Sequence, residues 1–347
     1  MYIKRILLGI ALLGLIGGGI FAYMVYDAFF TPNTSFNNEE AFVFIPTDAT
    51  IDDLNEQLRP LLEDMDSFTS AADRKGYLQN IRGGKYRISK GMNNNEIVNS
   101  LRSQNLPVKL SFNNQETVQD LAGRIATQIE ADSISLLNAF TDADFLKTND
   151  FNKANSLSLY IPNSYEFFWN TSATEFRDRM LKEYQRFWNA DRLAKAKALG
   201  LTPNEVIALA SIVHKETAKV DERPRVAGVY LNRLKKNMLL QADPTVIYAI
   251  KSTSGDFEQV IKRVLLKDLV LDSPYNTYKY AGLPPGPIAM PDITAIDAVL
   301  NAEDHNYYYF VANVEKFGYH MFAENLAQHN RNKQQYIRWI NSQKINR

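Results

Sequence analysis

Residues 211–217 read SIVHKET and place one carboxylate, Glu216, where the helical period calls for an apolar side chain. The helix carrying it starts with Thr202, Pro203, Asn204 and Glu205: a threonine at the N-cap, a proline at the first helical position and a glutamate placed to close a capping box. Val206, Leu209, Ala210 and Val213 then recur at helical spacing, and Glu216 follows Val213 by three residues and Leu209 by seven. The spacing turns Glu216 inward and His214 and Lys215 toward solvent. A carboxyl pressed against apolar neighbours is penalised when ionised, so its pKa rises toward the range in which a general acid works at neutral pH. An inward glutamate at a helix end also fits a structural ion pair with Arg223, Arg225 or Arg233, and spacing alone does not choose between the two.

Other groups suited to a site follow in the chain. Asp221 and Glu222 precede Pro224 and read as the first turn of a second helix, from about Pro224 to Lys236, where acids meet the helix dipole favourably. That helix carries Asn232 and Arg233 after an apolar stripe of Val226, Val229 and Tyr230. Arg233 suits either recognition of a carboxylate through paired hydrogen bonds or a surface ion pair. Asp243, before Pro244, reads as a turn or helix cap with Thr245. The segments YNTY (Tyr275–Tyr278) and GLPPGPI (from Gly282) have no regular period, and Pro284, Pro285 and Pro287 exclude helix and ladder pairing, so both are expected as stiff loops. Tyr275, Asn276 and Tyr278 offer stacking and hydrogen bonds there.

SIVHKET, DERPRVAGVYLNRLKKNMLLQADPTVIYAI, YNTY, GLPPGPIAMP and the final HMFAENLAQHN, in that order, resemble the endolytic murein transglycosylases of the YceG-like family, membrane-anchored enzymes that cut glycan strands of peptidoglycan. The resemblance is strongest from about Leu201 onward. It implies that Glu216 is the catalytic residue, that Gln241 and Asp243 of QADPT orient substrate, and that Tyr165 belongs to an aromatic substrate-contacting segment. Family members often read EKET where this chain has HKET, and FPDTY where it has IPNSY; Leu157 stands where the family commonly has an upstream glutamate.

The chemistry implied needs only one protein acid. Most glycosidases use two carboxylates, whereas a lytic transglycosylase lets the C6 hydroxyl of muramic acid attack, leaving a 1,6-anhydroMurNAc end and consuming no water. The resemblance thus implies a carbon–oxygen lyase that cleaves nascent strands between MurNAc and GlcNAc, ends their elongation and works beside the peptidoglycan synthases, without cofactor. A water-using muramidase with Asp243 or Glu222 as second carboxylate, and a non-catalytic wall-binding scaffold, are the rival readings.

Lys plus Arg equals Asp plus Glu at 39 each, so no positive field favours nucleic acid. Without cysteine there is no disulfide or thiolate chemistry, and four scattered histidines (His214, His305, His320, His329) make no metal motif. The uncharged run Ile6–Tyr26 is long enough to cross a bilayer, and Lys4 and Arg5 before it place the N-terminus in the cytoplasm and the remainder outside the cytoplasmic membrane, in the periplasm where an outer membrane exists. A cleaved signal peptide competes with this, but no small-x-small cleavage site follows the run.

After a polar linker the sequence repeats a pattern three times: a short apolar strand (AFVFI, KYRI, VKLSF), a polar loop, a capping-box start (Thr50/Asp53, Asn93/Glu96, Thr117/Asp120) and an amphipathic helix. The second copy resembles a LysM-like module, a small fold that holds glycan chains; such units also serve as plain spacers. The aromatic residues Tyr160, Tyr165, Phe167, Phe168 and Trp169 fit sugar stacking or a core. The expected organisation is α+β: a cytoplasmic tail (1–5), a transmembrane helix (6–26), a linker (27–40), strand-helix repeats including the LysM-like module (41–130) and a mixed, mainly helical catalytic domain (131–347).

Overall fold

The computed structural model describes residues 2–342. It is an α+β, mostly helical chain that gathers into two compact units. Unit 1 runs up to Leu110 and takes in Gln128–Ala131 and Tyr165–Ser172; unit 2 comprises Ser111–Thr127, Asp132–Ser164 and everything from Ala173.

Unit 1 opens with α1 (Tyr2–Phe30), an apolar helix with no buried residue, long and apolar enough to cross a membrane. Its last turn is tied down, because the Asn94 amide donates to the Ala28 carbonyl at 2.7 Å. There follow β1 (Glu40–Ile45), α2 (Ile51–Leu58), α3 (Met65–Arg74), β2 (Gly84–Ser89) and α4 (Asn94–Ser103). The first two of the expected strand-helix units are β1 with α2 and β2 with α4, but neither stands alone. β1 and β2 pair antiparallel, Glu40 opposite Ser89 through Ile45 opposite Gly84. Ile45, Leu54, Leu58, Ile88, Ile97 and Leu101 meet Phe68 of the unanticipated α3 in one shared core. A two-stranded hairpin cannot bury enough surface by itself, so the two copies fuse into a single body.

The third unit diverges. Its strand β3 (Pro107–Phe112) pairs with β4 (Asn163–Phe168), and the chain passes from one unit to the other within both. Its helix α5 (Val118–Ala126) belongs to unit 2. All three capping boxes form, at Thr50/Asp53, Asn93/Glu96 and Thr117/Asp120, each satisfying backbone N–H groups that a helix start leaves open.

Unit 2 continues with α6 (Ser133–Phe140), α7 (Ala143–Thr148), α8 (Ala173–Phe187), α9 (Ala190–Ala198), α10 (Pro203–Glu216), α11 (Arg223–Lys235), α12 (Asp243–Ser254) and α13 (Ile293–Leu300). A short antiparallel pair, β5 (Tyr309–Ala312) and β6 (His320–Ala323), and α14 (Leu326–Ser342) complete it. The centre is α10. Thr202 caps it in a box with Glu205 and Pro203 opens its first turn, as the sequence predicts. The sequence shows one apolar face, yet all residues from Val206 to Val213 are buried, because α11, α12 and α13 pack around the helix. A helix enclosed on all sides is the usual frame for a fixed functional group at its end.

YNTY and GLPPGPI lie outside every helix and strand, as the prolines require. The second loop is held by close backbone approach: a Cβ on Gly286 would sit 1.9 Å from the Ala154 carbonyl oxygen. Backbone on both sides cannot yield cheaply. Gly286→Ala is therefore expected to cost about 1–3 kcal/mol, seen as a lowered thermal midpoint by circular dichroism; an unchanged midpoint would contradict this packing.

Candidate active site

Glu216 is the last residue of α10, and its carboxyl closes one wall of a cavity of about 250 Å³. Tyr230 and Arg233 from α11, Leu240 and Gln241 from the following loop, Asp243 from the start of α12, Tyr278 of YNTY, Phe310 of β5 and His329 of α14 form the rest. Elements separated by more than a hundred residues in the chain thus converge on one acid.

The structural ion pair that competed for Glu216 does not form among the described residues. Arg223 pairs with Asp292 at 3.2 Å and Arg225 with Glu303 at 3.0 Å. Arg233 is buried, donating through Nε to the Tyr308 carbonyl (2.6 Å) and through Nη1 to those of Leu239 (3.2 Å) and Leu240 (2.8 Å). Instead the Tyr230 hydroxyl donates to Glu216 Oε1 at 2.7 Å. Burial pushes the Glu216 carboxyl up to about 7; the Tyr230 hydrogen bond and the charges of His320 and Arg233 oppose this, and Asp243 adds to it. Desolvation is the largest influence, so the carboxyl holds its proton into the neutral range.

Asp243 sits in the same cavity and accepts from the Tyr278 hydroxyl at 2.6 Å. That contact, with burial as the larger cause, holds the Tyr278 hydroxyl above its ordinary value. Gln241 adopts a positive φ of 50° and its N–H donates to the Thr277 carbonyl, a bend that brings Leu240, Gln241 and Asp243 to the cavity wall. Of the residues singled out in the sequence, Glu216, Arg233, Gln241, Asp243 and Tyr278 are therefore brought together.

The others are placed elsewhere. Asn232 donates to the carbonyls of His305 (2.7 Å) and Tyr307 (3.1 Å), fastening α11 to the chain before β5. Asn276 is fully buried, its amide on the Leu269 and Leu271 carbonyls, where it pins the YNTY loop. Tyr275 packs against Tyr248 with ring centroids 4.6 Å apart. Tyr165 lies on β4 in unit 1, outside the residues lining the cavity. The aromatic segment around it is divided: Tyr160 is buried against Phe140 in unit 2, while Trp169 meets Phe44 in unit 1.

His214 departs from expectation. It is mostly covered and lies 3.2 Å from the Asp292 carboxylate, because the segment before α13 folds over that face of α10. Burial lowers its pKa, against the pull of Asp292. Glu222 is also committed: it accepts from His320 through the backbone N–H (2.8 Å), lies 2.8 Å from the ring Nδ1, and accepts from Thr217 at 3.2 Å. Burial favours its neutral form, but these bonds outweigh it and hold the carboxyl below the usual range.

Sequence reasoning missed Tyr230 as a polar partner, reading it as part of an apolar stripe, and missed Phe310 and His329 as lining. A tyrosine at an inner position one helix away is the signal that was available, since a buried hydroxyl needs a partner. His329 Nδ1 has no protein partner among the described residues, although its ring stacks on Tyr309. A larger cavity of about 660 Å³ lies over the start of α10 and the GLPP segment, but its carboxylate, Glu205, is engaged in the helix cap.

The raised Glu216 value has a consequence for stability. The folded state holds the proton more tightly than the unfolded chain, so the cost of ionisation appears as pH rises from about 4.5 to about 7 and is fully felt above. Glu216→Gln removes that cost. It is expected to be more stable than the parent at pH 8 by at most about 3 kcal/mol, with the advantage shrinking below pH 5. Thermal midpoints of both proteins across that range check this, and an advantage independent of pH would contradict it.

Known proteins resemble this chain over most of its length. Residues 43–335 match the YceG-like family. A Bacillus subtilis protein named endolytic murein transglycosylase is 32% identical over 275 residues, covering 74% of this chain and 73% of the relative. A Streptococcus pneumoniae protein of the same name is 34% identical over 176 residues; the match covers 51% of this chain and 31% of that longer protein. The crystal structure of a YceG-like protein from Listeria monocytogenes superposes with a TM-score of 0.57 at 28% identity, covering 85% of this chain and 99% of that one. With the family match spanning most of its length, this chain belongs to the YceG-like family.

Proposed function

We propose that the protein is an endolytic peptidoglycan lytic transglycosylase with Glu216 as its acid and base. The observation that carries this reading is the Glu216 carboxyl, held protonated near neutral pH in a polar-lined cavity. The names of the relatives in B. subtilis and S. pneumoniae support the same activity.

In the proposed reaction Glu216 gives its proton to the glycosidic oxygen between MurNAc and GlcNAc as the bond from the anomeric carbon to that oxygen breaks. The C6 hydroxyl of the same muramic acid then bonds to the anomeric carbon, closing the 1,6-anhydro ring, and its proton returns to Glu216. Atoms balance without water or cofactor. Tyr230 holds the carboxyl in place and steadies its ionised form between the two transfers. Arg233 Nη2, the guanidinium nitrogen engaged with no carbonyl among the described residues, and the Tyr278–Asp243 pair supply polar contacts for the sugar.

Asp243 favours a second reading, since a carboxylate sharing the cavity with the acid is what a water-using muramidase needs. Its hydrogen bond from Tyr278 supports an orienting role instead. Products separate the two: anhydro ends for the lyase, ordinary reducing ends for the muramidase.

We also propose that α1 is retained as a single membrane anchor with the N-terminus in the cytoplasm. The length and hydropathy of the helix, Lys4 and Arg5 before the apolar run and the Asn94 bond to its last turn support this. Cutting nascent strands near the membrane, and so ending their elongation beside the synthases, follows from that placement. The β1–β2 body, whose second copy resembles a LysM-like module in sequence, is proposed to align glycan.

The full-length chain in detergent micelles, given murein strands, is expected to release products one water lighter than hydrolysis products, identified by mass spectrometry. Glu216→Gln is expected to lower the rate by about a hundredfold or more, and kcat/KM of the parent to fall as pH rises past about 7, where Glu216 loses its proton. Reducing-end products from the parent, or a fully active Glu216→Gln protein, would overturn the assignment.

A further inference from the structure

A second, smaller cavity of about 180 Å³ adjoins the same two helix ends. Its walls are Glu116, Lys215, Pro244, Ile247, Tyr248, Lys251 and Ile288. Lys215 directly precedes Glu216 and Pro244 directly follows Asp243, so residues adjacent in the chain, with Cα atoms about 3.8 Å apart, line the two cavities.

The charges in this cavity do not balance. Lys215 Nζ donates to Glu116 Oε1 at 2.7 Å and Lys251 Nζ to Oε2 at 2.8 Å, so two ammonium groups share one carboxylate. Burial favours neutral Glu116, yet the lysine hydrogen bonds outweigh it and keep the carboxyl below its ordinary value, so the three groups carry a net charge of +1. Lys251, with 13% of its side chain exposed, also donates to the Phe257 carbonyl at 3.0 Å. Lys215, at 32%, donates only to Glu116 among the described residues and keeps further N–H donors. A partly enclosed excess positive charge flanked by Pro244, Ile247, Tyr248 and Ile288 suits an anion carried on a small apolar group.

We propose that this cavity binds a carboxylate of the peptide stem carried by the muramic acid whose linkage is cut at Glu216. The inference rests on the proposed activity and adds a substrate preference to it. Arg233 cannot take this part with its whole guanidinium, because Nε and Nη1 are held by backbone carbonyls. Lys215 and Lys251 are the cations placed to do so.

The test compares full-length protein on two substrates: intact stem-bearing strands and the same strands with stem carboxylates converted to amides, which keeps the peptide and removes its charge. The parent is expected to prefer charged stems by about tenfold in kcat/KM, chiefly through KM, and Lys215→Met and Lys251→Met are each expected to reduce that ratio toward one. Equal rates on both substrates for the parent, or a ratio unchanged in both variants, would overturn the proposal. Binding of the free stem peptide, measured by calorimetry on Glu216→Gln protein with and without Lys215→Met, reads the cavity apart from the reaction. Saturable binding lost with Lys215→Met upholds the cavity even if no anhydro product forms, and no binding contradicts it. Thermal midpoints of the variants separate a folding defect from lost recognition.

Discussion

The proton donor proposed for unit 2 depends on taking one carboxyl group largely out of water without giving it a full counter-charge. A carboxylate paired with arginine would stay ionised and be useless as a proton donor at neutral pH. Three arginines lie within seventeen residues of Glu216, and each is directed elsewhere: Arg223 to Asp292, Arg225 to Glu303 and Arg233 to backbone carbonyls. Glu216 receives a neutral hydroxyl instead, which orients the group and only partly offsets its desolvation.

The surrounding elements meet that requirement. An acid held in this state needs a rigid support, and α10 supplies it by being buried on all sides and capped at its start. Its end is fixed as well, since Thr217 donates to Glu222, which His320 holds at the start of β6. The short β5–β6 pair thereby ties the C-terminal part of the chain to the residue beside the acid, and Phe310 of that pair meets the Tyr230 ring edge-on. The stiff YNTY loop delivers Tyr278 to the cavity because Asn276 and Thr277 are buried and bonded beneath it.

What was legible in the sequence is what depends on near neighbours. Helix starts were readable because a capping box spans four residues, and the inward direction of Glu216 because helical spacing fixes faces within a few turns. The remainder depends on partners far apart in sequence. Burial of His214 requires Asp292, 78 residues on, and no local pattern signals that a loop will cover that face. Asn276 and Asn232 look like ligand-binding amides until their backbone acceptors are seen. The repeated strand-helix pattern predicted three equal units, whereas strand pairing, a non-local choice, fused two and sent the third to β4.

The account stands or falls on the protonation state of Glu216. Carbon-detected NMR of the full-length chain labelled at glutamate side chains, with Glu216→Gln used to assign the signal, titrates that carboxyl directly. A midpoint near 7 is predicted. A midpoint near the ordinary 4.5 would show an ionised group at neutral pH and contradict its proposed role as proton donor.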